Sequence, residues 1–574
     1  MFQGIAASPG IAIAKAFILE KAELIIEDKQ ININQIEVEK EKFRQALDQS
    51  RQQLQQIKDK TEKELGQEEG AIFGAHLMFL ADPMLIGEVE NKIAGEKLTA
   101  ANALNQVISD FVQLFSTMED EYMKERAADI KDIGRRILNN LLGIKASSLA
   151  DIKEEVIFIA QDLTPSDTAQ INKQYVVGFA TEVGGRTSHT AIMARTLEIP
   201  AVVGLGKSIS KVKSGDLLII DGNKGIVILE PDEKTLSNYQ RELENYQRYK
   251  QELKELLKLP AKTIDGHRVE LFANIGTPKD VDSVLENGGE GIGLYRTEFL
   301  YMNRDSLPSE EEQFVAYKEV VEKMQGKTVV IRTLDIGGDK KLPYLELPEE
   351  MNPFLGWRAI RICLERLDIF KNQLRAILRA SAYGNIKIMY PMISGVEEVR
   401  QANGILEQIK LELAQNQIPF DQKIQVGIMV EIPSAALTAD IIAKEVDFFS
   451  IGTNDLCQYT MAVDRMNEKI AYLYQPFHPA ILRLIKMVIE AAHDEGKMVG
   501  MCGEMAGEPL AVLILLGLGL DEFSITASSI PHIKKIIRSV SLEKAQEVTE
   551  QIMKLSTIQE LQNFMETTLK QLGG

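Results

Sequence analysis

The sequence predicts a multidomain α/β protein whose C-terminal half is a (β/α)8 TIM barrel. With 574 residues, the chain is long enough for roughly three to four domains. The N-terminal part passes from strand-like alternation to helical spacing and back to strands. In the remainder, eight strand-like runs alternate with helix-like segments, which is the pattern of a barrel.

The composition is that of a packed globular protein, with 45% hydrophobic and 26% charged residues. A net charge of −19 argues against a protein that coats nucleic acid. The three cysteines form no CxxC pair, so neither a disulfide framework nor a zinc site is predicted. The N-terminus lacks a basic signal-peptide region, and the longest apolar run, 510–520, is too short to span a bilayer. We expect a cytoplasmic protein without membrane insertion.

Residues 4–20 predict strands around a turn at Ser8-Pro9-Gly10. Helical spacing begins near Asn34, where Asn34 and Glu37 predict a capping box, and continues to about Gly143. We therefore predict an inserted helical domain over 21–147. Within it, the stretch 68–84 is either a buried helix face or an apolar docking patch with an acidic rim.

Strand patterns return after this helical part, at 156–160, 176–180, 201–204, 217–220 and 225–229. The opening strands are expected to join the same sheet, so residues 1–20 and 148–230 form one α/β domain. Pro231 opens a charged helical stretch expected over 232–258, and Pro260 closes it. We assign 231–260 to a helical linker.

Residues 261–574 carry the barrel pattern. Its strands are predicted at 269–275, 291–296, 328–333, 386–392, 426–431, 447–454, 498–503 and 521–526. Because TIM barrels carry their chemistry at the C-terminal ends of the strands, the polar residues at these ends are the candidate site.

Three kinds of side chain fall at those ends. Guanidinium forks bind phosphate or carboxylate oxygens, so the arginines would hold a small, multiply anionic substrate or else form structural ion pairs. The two acidic residues offer magnesium ligands or partners for those arginines. A thiol with an ordinary pKa is protonated at neutral pH, so the cysteine is a proton donor to an enolate carbon or an ordinary buried thiol. These residues are Arg296, Arg332, Arg465, Glu431, Asp455 and Cys502.

One further stretch, GGRTSHTAIMAR at 184–195, joins a glycine pair, a lone histidine and the start of a helix. Ser188 or Thr190 is a candidate helix cap, and a helix N-terminus favours an anion. His189 is therefore either a carrier of a covalent phosphoryl group or a turn histidine beside an ordinary cap.

Several long motifs in this order resemble Enzyme I of the bacterial phosphotransferase system, the phosphoenolpyruvate–protein phosphotransferase family. The motifs are DLTPS at 162–166, GGRTSHTAIMAR at 184–195, GIGLYRTEFL at 291–300, RTLDIGGDK at 332–340, NPFLGWR at 352–358, GTNDL at 452–456 and MCGEM at 501–505. The resemblance covers essentially the whole chain. Its departures are small: Met466 stands where the family usually has glycine, and Cys457 replaces a residue that is usually not cysteine.

The resemblance implies that phosphoenolpyruvate phosphorylates His189 on Nε2, that pyruvate is released, and that the phosphoryl group then passes to a histidine of the carrier protein HPr. Cys502 would protonate the enolate carbon, and Glu431 with Asp455 would hold Mg2+. The substrate-binding residues implied are Arg296, Arg332, Asn454, Asp455 and Arg465.

The resemblance also implies a division of labour among the domains. A swivelling phosphohistidine α/β domain would carry His189, the helical insertion would bind HPr, and the barrel would bind phosphoenolpyruvate and form a homodimer. Thr168 resembles the residue that hydrogen-bonds the histidine ring, and Lys340 and Arg358 would belong to the same rim.

Three alternatives to this family share some of these sequence features. Pyruvate phosphate dikinase and phosphoenolpyruvate synthase use a similar histidine domain and barrel, but they need a nucleotide-binding domain, and the sequence has no glycine-rich ATP loop. A nitrogen-regulatory paralogue would carry an additional N-terminal sensory domain, which we do not find. An idle docking protein is the alternative outside catalysis, and the joint presence of His189, Cys502, Glu431 and Asp455 argues against it.

Overall fold

A computed structural model describes most of the chain in two compact units, Met1–Tyr249 and Lys250–Gly574. The described residues are 1–18, 26, 30–64, 67–116, 121–144, 152–161, 163, 171–172, 174–185, 188–197, 199–302, 304–338, 340, 342–345, 347–467 and 469–571. Of the motif residues, Asp162, Thr164–Thr168, Arg186, Thr187 and Asp339 lie outside the described residues. No described helix combines the length and the apolar character needed to cross a membrane.

The predicted helical insertion is present in the first unit. Its helices are Ile36–Glu64, Gln67–Leu80, Pro83–Gly95, Ala100–Ser116 and Glu121–Leu142. The predicted capping box at Asn34 and Glu37 is wrong, because a 3-10 turn, Ile33–Gln35, precedes the first helix. The Gln35 side chain instead accepts a hydrogen bond from the Asn32 N–H at 2.9 Å.

The stretch 68–84 has a buried face, as one of its two alternatives predicted, and two exposed methionines. Phe73 and His76 face the helical core with 2% and 1% of their surface exposed. Met78 and Met84 point outward and are 71% and 66% exposed. Phe73 and His76 thus belong to the buried face of the helix Gln67–Leu80. The two methionines leave apolar surface exposed at the end of that helix and at the start of the helix Pro83–Gly95.

The α/β part of the first unit is an eight-stranded mixed sheet. Its strands, numbered β1 to β8, are Phe2–Gln3, Ile5–Ser8, Ile11–Ile18, Val156–Ala160, Val176–Thr181, Ala201–Val203, Leu217–Asp221 and Ile226–Leu229. Their order in the sheet is β1-β8-β7-β3-β4-β5-β6-β2. β3 pairs with β4 in parallel and with β7 antiparallel, which confirms that the opening strands join the sheet across the helical insertion.

The helix His189–Leu197 lies between the parallel strands β5 and β6, as a crossover connection requires. After the sheet, the helix Glu233–Leu256 confirms the helical stretch predicted over 232–258. Asp232 caps this helix by accepting a hydrogen bond from the Thr235 N–H at 2.7 Å.

The second unit contains a closed barrel of parallel strands, β9 to β16, which confirms the predicted (β/α)8 architecture. The strands are Glu270–Ile275, Gly291–Arg296, Val329–Arg332, Ile386–Tyr390, Gln425–Val430, Phe448–Ile451, Met498–Met501 and Glu522–Ile525. The sixth strand is shorter than predicted, because Gly452 ends it and Thr453 begins a helix. Asn454 and Asp455 therefore lie on the first turn of that helix.

Helices surround the barrel and share one continuous apolar core with its strands. They are Asp280–Glu286, Glu310–Lys323, Ile360–Glu365, Leu367–Ser381, Val396–Gln415, Pro433–Leu437, Ala439–Ile442, Thr453–Met461, Pro479–Asp494, Pro509–Leu518, Ile530–Arg538, Leu542–Ile552 and Ile558–Gln571.

Candidate active site at the C-terminal end of the barrel

The candidate residues of the barrel lie at the C-terminal ends of its strands, as predicted. Arg296 and Arg332 are the last residues of β10 and β11 and are paired across the two strands. Glu431 follows β13 directly, and Cys502 follows β15 directly. This edge of the barrel is where parallel strands present side chains for chemistry.

Arg332 is held by two carboxylates. Its Nη2 lies 2.7 Å from Glu298 Oε1, and its Nη1 lies 3.0 Å from Asp335 Oδ2. Lys340 Nζ shares Glu298 Oε1 at 2.7 Å. Burial disfavours the charged form of Glu298, but Arg332 and Lys340 outweigh that effect and lower the pKa of its carboxyl. Glu298 and Arg332 are therefore both charged at neutral pH.

The ion-pair network continues from Asp335 to the sixth strand. Arg358 Nη2 lies 2.9 Å from Asp335 Oδ1 and 3.4 Å from Asp455 Oδ2. Arg465 Nη1 lies 3.3 Å from Asp455 Oδ1. Arg332, Arg465 and Asp455 therefore all take part in ion pairs within the protein, which was the structural alternative for each of them.

Arg296 differs from the other arginines of the site. In the described part of the chain, no carboxylate lies within ion-pairing distance of its guanidinium, which lies 5.8 Å from the Phe299 ring. Its buried Nε has no hydrogen-bond partner among the described residues, and the same is true of the Nε atoms of Arg332 and Arg358. Buried donors without partners are rare in folded proteins, so three at one barrel edge indicate a place for an acceptor-rich ligand.

Glu431 and Asp455 are buried carboxyls that repel one another. Burial, and then the charges of Asp455 and Asp335, raise the pKa of Glu431 to about 8. Glu431 Oε1 accepts a hydrogen bond from the Met392 N–H at 2.6 Å. The φ of Met392 is 57°, in the left-handed region that non-glycine residues seldom occupy.

A divalent cation would fit this carboxylate pair. Asp455 Oδ1 accepts no hydrogen bond, although Arg465 Nη1 is near it. Mg2+ is commonly bound by one or two carboxylates together with substrate oxygens and water. Among the described residues, no group of three or more His, Cys, Asp or Glu side chains could hold a metal ion alone. The donors present thus match magnesium held jointly by protein and substrate.

Cys502 lies inside the barrel mouth and is 7% exposed. It packs with Met389, Met429 and Phe448, and its Sγ lies 3.9 Å from the carbonyl oxygen of Ile451. Burial raises the pKa of the thiol to about 11. At neutral pH the sulfur therefore carries its proton.

Asn454 is oriented by Glu504. Its Nδ2 donates to Glu504 Oε1 at 3.1 Å, and its Oδ1 accepts from the Glu504 N–H at 3.0 Å. These bonds fix which end of the amide faces the loop after β15. Among the described residues, the Asn454 amide nitrogen donates to Glu504 alone, and it carries a second N–H.

His189 belongs to the other compact unit, and the structure describes its backbone but not its side chain. It is the first residue of the helix His189–Leu197. Ser188 Oγ accepts a hydrogen bond from the Ala191 N–H at 3.3 Å, which confirms Ser188 as the cap. Thr190 is 1% exposed and donates to the Leu163 carbonyl at 3.4 Å.

Sequence reasoning assigned no role to Glu298, Asp335 or Tyr459. The two acids stand at strand ends, so the rule that selected the arginines also applies to them. Tyr459 follows Asp455 by four residues on one helix, a spacing that places both on the same face. Its hydroxyl accepts from Arg358 Nη1 at 3.1 Å and donates to the Phe354 carbonyl at 2.6 Å.

Comparisons with known proteins show the family of the chain. The family descriptions that match are "PEP-utilising enzyme, PEP-binding domain" over 250–542, "PEP-utilising enzyme, N-terminal" over 3–126 and "PEP-utilising enzyme, mobile domain" over 152–225. A phosphoenolpyruvate-protein phosphotransferase of Priestia megaterium is 56% identical over 566 residues, 99% of this chain and 98% of that protein.

Two further relatives carry the same name. The protein of Bacillus subtilis (strain 168) is 56% identical and that of Staphylococcus carnosus (strain TM300) is 53% identical, each over 568 residues and 99% of both chains. The chain belongs to the phosphoenolpyruvate-protein phosphotransferase family. The predicted resemblance to Enzyme I and the predicted enzyme class are thereby confirmed.

In this phosphotransferase, Arg332→Leu is expected to lower the free energy of unfolding of the barrel by about 3–5 kcal/mol, because it removes one partner from the buried carboxylates of Glu298 and Asp335. Urea denaturation followed by the fluorescence of Trp357, the single tryptophan, measures the loss. Arg465→Leu is the control. Its side chain is 29% exposed, so we expect a loss below about 1 kcal/mol. Equal losses in the two variants would contradict the assigned burial of the Arg332 cluster.

Proposed function

We propose that the chain transfers the phosphoryl group of phosphoenolpyruvate to Nε2 of its own His189 and then to a histidine of HPr, releasing pyruvate, as the first step of the sugar phosphotransferase system. The Arg296 guanidinium, which forms no ion pair with the described residues and lies beside a network of further cations, is the observation that carries this proposal. Phosphoenolpyruvate carries a phosphate and a carboxylate, and it would supply the acceptors that these donors lack.

The proposed substrate contacts follow from charge and position. Arg296 and Arg332 lie on neighbouring strand ends, and Arg465 and Asn454 come from the sixth βα unit. In-line phosphoryl transfer depends mainly on positioning and on neutralising the charge of the transferred group. These side chains would orient the phosphate toward an incoming imidazole, with Asp455 holding Arg465 and Arg358 in place.

Glu431 and Asp455 are proposed to hold Mg2+, with substrate oxygens completing its coordination. When bound, the ion neutralises charge on the phosphate and the enolate oxygens. In the protein alone, burial and the charge of Asp455 oppose ionisation of Glu431. The N–H of Met392 fixes the orientation of the Glu431 carboxyl for that role.

Cys502 is proposed to donate the proton that converts the enolate of pyruvate into pyruvate. Transfer of the phosphoryl group to His189 breaks the bond between the phosphorus and the enolate oxygen. The enolate carbon then takes the proton from Cys502 Sγ, which leaves a thiolate that regains its proton from water. The raised thiol pKa keeps the proton on sulfur until a carbanion-like acceptor is present.

We propose that His189 serves both partners because its α/β domain swivels on the linker 231–260. HPr would dock on the helical domain 21–147, where Met78 and Met84 expose apolar surface. The net charge of −19 favours a basic partner. The barrel domain 261–574 is proposed to form the homodimer, and the enzyme to work in the cytoplasm.

The proposed function is tested by incubating the full chain with radiolabelled phosphoenolpyruvate and Mg2+. We expect one acid-labile, base-stable phosphoryl group per chain, with one pyruvate released for each group bound. Addition of HPr should move the label to that protein. Labelling that requires ATP, or pyruvate release without a phosphoprotein, would contradict the proposal.

A magnesium prediction follows from the carboxylate pair. Glu431→Gln should raise the Mg2+ concentration for half-maximal labelling at least about tenfold, because a neutral amide is a weaker ligand for this hard cation. Glu522→Gln is the matched control. Burial raises the pKa of Glu522 to about 8 as well, but this residue begins β16 at the opposite end of the barrel. Equal magnesium dependence in both variants would remove Glu431 from the metal site.

A further inference from the structure

Gln373 is a polar residue in an otherwise apolar position. It lies on the helix Leu367–Ser381, between the buried residues Phe370 and Ile377, and none of its surface is exposed. A buried amide is destabilising unless all of its groups find partners. The partners of Gln373 are therefore informative about what this residue does.

The Gln373 amide joins the ends of two neighbouring barrel strands. Its Oε1 accepts from the Leu334 N–H at 2.8 Å, two residues beyond the end of β11. Its Nε2 donates to Thr297 Oγ1 at 3.0 Å, one residue beyond the end of β10. Thr297 in turn donates to the carbonyl of Arg332 at 2.8 Å. One side chain of the helix Leu367–Ser381 thus connects the ends of β10 and β11.

The direction of every bond in this network is determined. A backbone N–H only donates, so the oxygen of the Gln373 amide must face Leu334 and its nitrogen must face Thr297 and Tyr317. The Tyr317 hydroxyl accepts from Gln373 at 3.2 Å and donates to Gln313 Oε1 at 3.1 Å. A fully satisfied buried network of this kind has one geometry.

The residues that Gln373 connects flank the proposed substrate site. Thr297 lies between Arg296 and Glu298, and Leu334 lies between Arg332 and Asp335. Arg296 has no ion pair in the described part of the chain, so the position of its guanidinium depends on its backbone and on the neighbouring Phe299 ring. Strand pairing aligns the Arg296 and Arg332 backbones, and the bonds from Gln373 hold the residues that follow each strand.

We infer that Gln373 is a positioning residue for phosphoenolpyruvate binding, which through Thr297 and Leu334 holds the strand ends that carry Arg296 and Arg332. The inference rests on the proposed function, because it takes these two arginines as substrate ligands. Gln373 touches neither substrate nor reacting atoms. Its effect is to hold both guanidinium groups where one phosphate–carboxylate pair can contact them together.

The test compares two buried glutamines of the same network. Gln373→Met should raise the Kd for phosphoenolpyruvate about tenfold, because both strand ends lose their common partner. The labelling rate at saturating phosphoenolpyruvate should stay within about twofold, since His189, Cys502 and the carboxylates are unchanged. Binding is measured by titration calorimetry and by the fluorescence of Trp357, which precedes Arg358.

Gln313→Met is the matched control. Gln313 is 1% exposed and accepts from the hydroxyls of Tyr301 and Tyr317, but it touches neither strand end. The Gln313→Met variant should lower the thermal midpoint of unfolding, as Gln373→Met does, and leave the Kd for phosphoenolpyruvate unchanged. An equal rise in Kd for both variants would show a general loss of packing and would overturn the inference.

A second variant covers the case in which Gln373→Met does not fold. Thr297→Val conserves volume and removes the bonds from Gln373 and to the Arg332 carbonyl, while Leu334 keeps its partner. It should raise the Kd by a smaller factor, about threefold. Wild-type Kd in Thr297→Val overturns the inference, whereas a wild-type chain that phosphoenolpyruvate does not label contradicts the proposed function instead.

Discussion

His189→Ala is expected to abolish labelling by phosphoenolpyruvate completely, with no phosphoryl group bound and no HPr phosphorylated. The substitution removes the proposed nucleophile. His189 is the first residue of its helix, Ser188 keeps its cap on the Ala191 N–H, and alanine is a strong helix former. The measurement is acid-labile radioactivity per chain after incubation with labelled phosphoenolpyruvate and Mg2+.

His493→Ala is the control for this result. His493 is 41% exposed, and its Nε2 lies 2.9 Å from Asp521, which precedes β16 at the end of the barrel opposite the proposed site. Labelling should remain at the wild-type level. Phosphoenolpyruvate binding should survive in both variants, because the proposed ligands are in the barrel. Residual acid-labile label in His189→Ala would show that another residue accepts the phosphoryl group.

The order of elements in this phosphotransferase could be predicted from its sequence because each element has a strong local signature. The parallel strand β4, Val156–Ala160, is buried along its whole length and is a continuous apolar run. The helix Glu233–Leu256 begins at an aspartate cap. Errors occurred at boundaries, where a 3-10 turn displaced the first cap and Gly452 ended the sixth strand early.

The candidate site could be predicted in part, for a related reason. The barrel rule selects residues at strand ends, and it found Arg296, Arg332 and Glu431. It cannot say how those charges pair, because pairing depends on side chains that meet only in the fold. The hydrogen bond from Met392 to Glu431 depends on a positive φ, for which a methionine gives no sequence signal.

The two compact units divide the proposed chemistry unequally. The barrel edge contains cations, acids and a thiol, but the described residues there include no imidazole in the ion-pair network. The proposed nucleophile, His189, begins a helix of the other unit. In the proposed reaction, His189 takes the phosphoryl group from phosphoenolpyruvate in the barrel and passes it to HPr. A histidine carried on a unit separate from the barrel suits this sequence of two partners.

Cys502→Ala is expected to slow pyruvate formation by about 10²–10⁴-fold, the usual contribution of a positioned proton donor. Phosphoenolpyruvate binding should stay within about twofold, because Sγ contacts apolar neighbours and one carbonyl rather than the proposed ligands. Single-turnover experiments with labelled phosphoenolpyruvate measure both quantities. Since the thiol pKa is raised to about 11, the wild-type rate should not fall between pH 6 and 8 through loss of this proton.

Cys457→Ala is the control that distinguishes proton donation by Cys502 from a contribution to packing. Cys457 is also buried in the barrel unit, and burial raises its thiol pKa to about 11, but it lies on the helix Thr453–Met461 within the apolar core. Both variants lose the same atom and should lose stability by similar amounts, about 1 kcal/mol. Only Cys502→Ala should slow the formation of pyruvate. If the two variants turn over equally, the proton comes from elsewhere, and the thiol at the end of β15 is a packing residue.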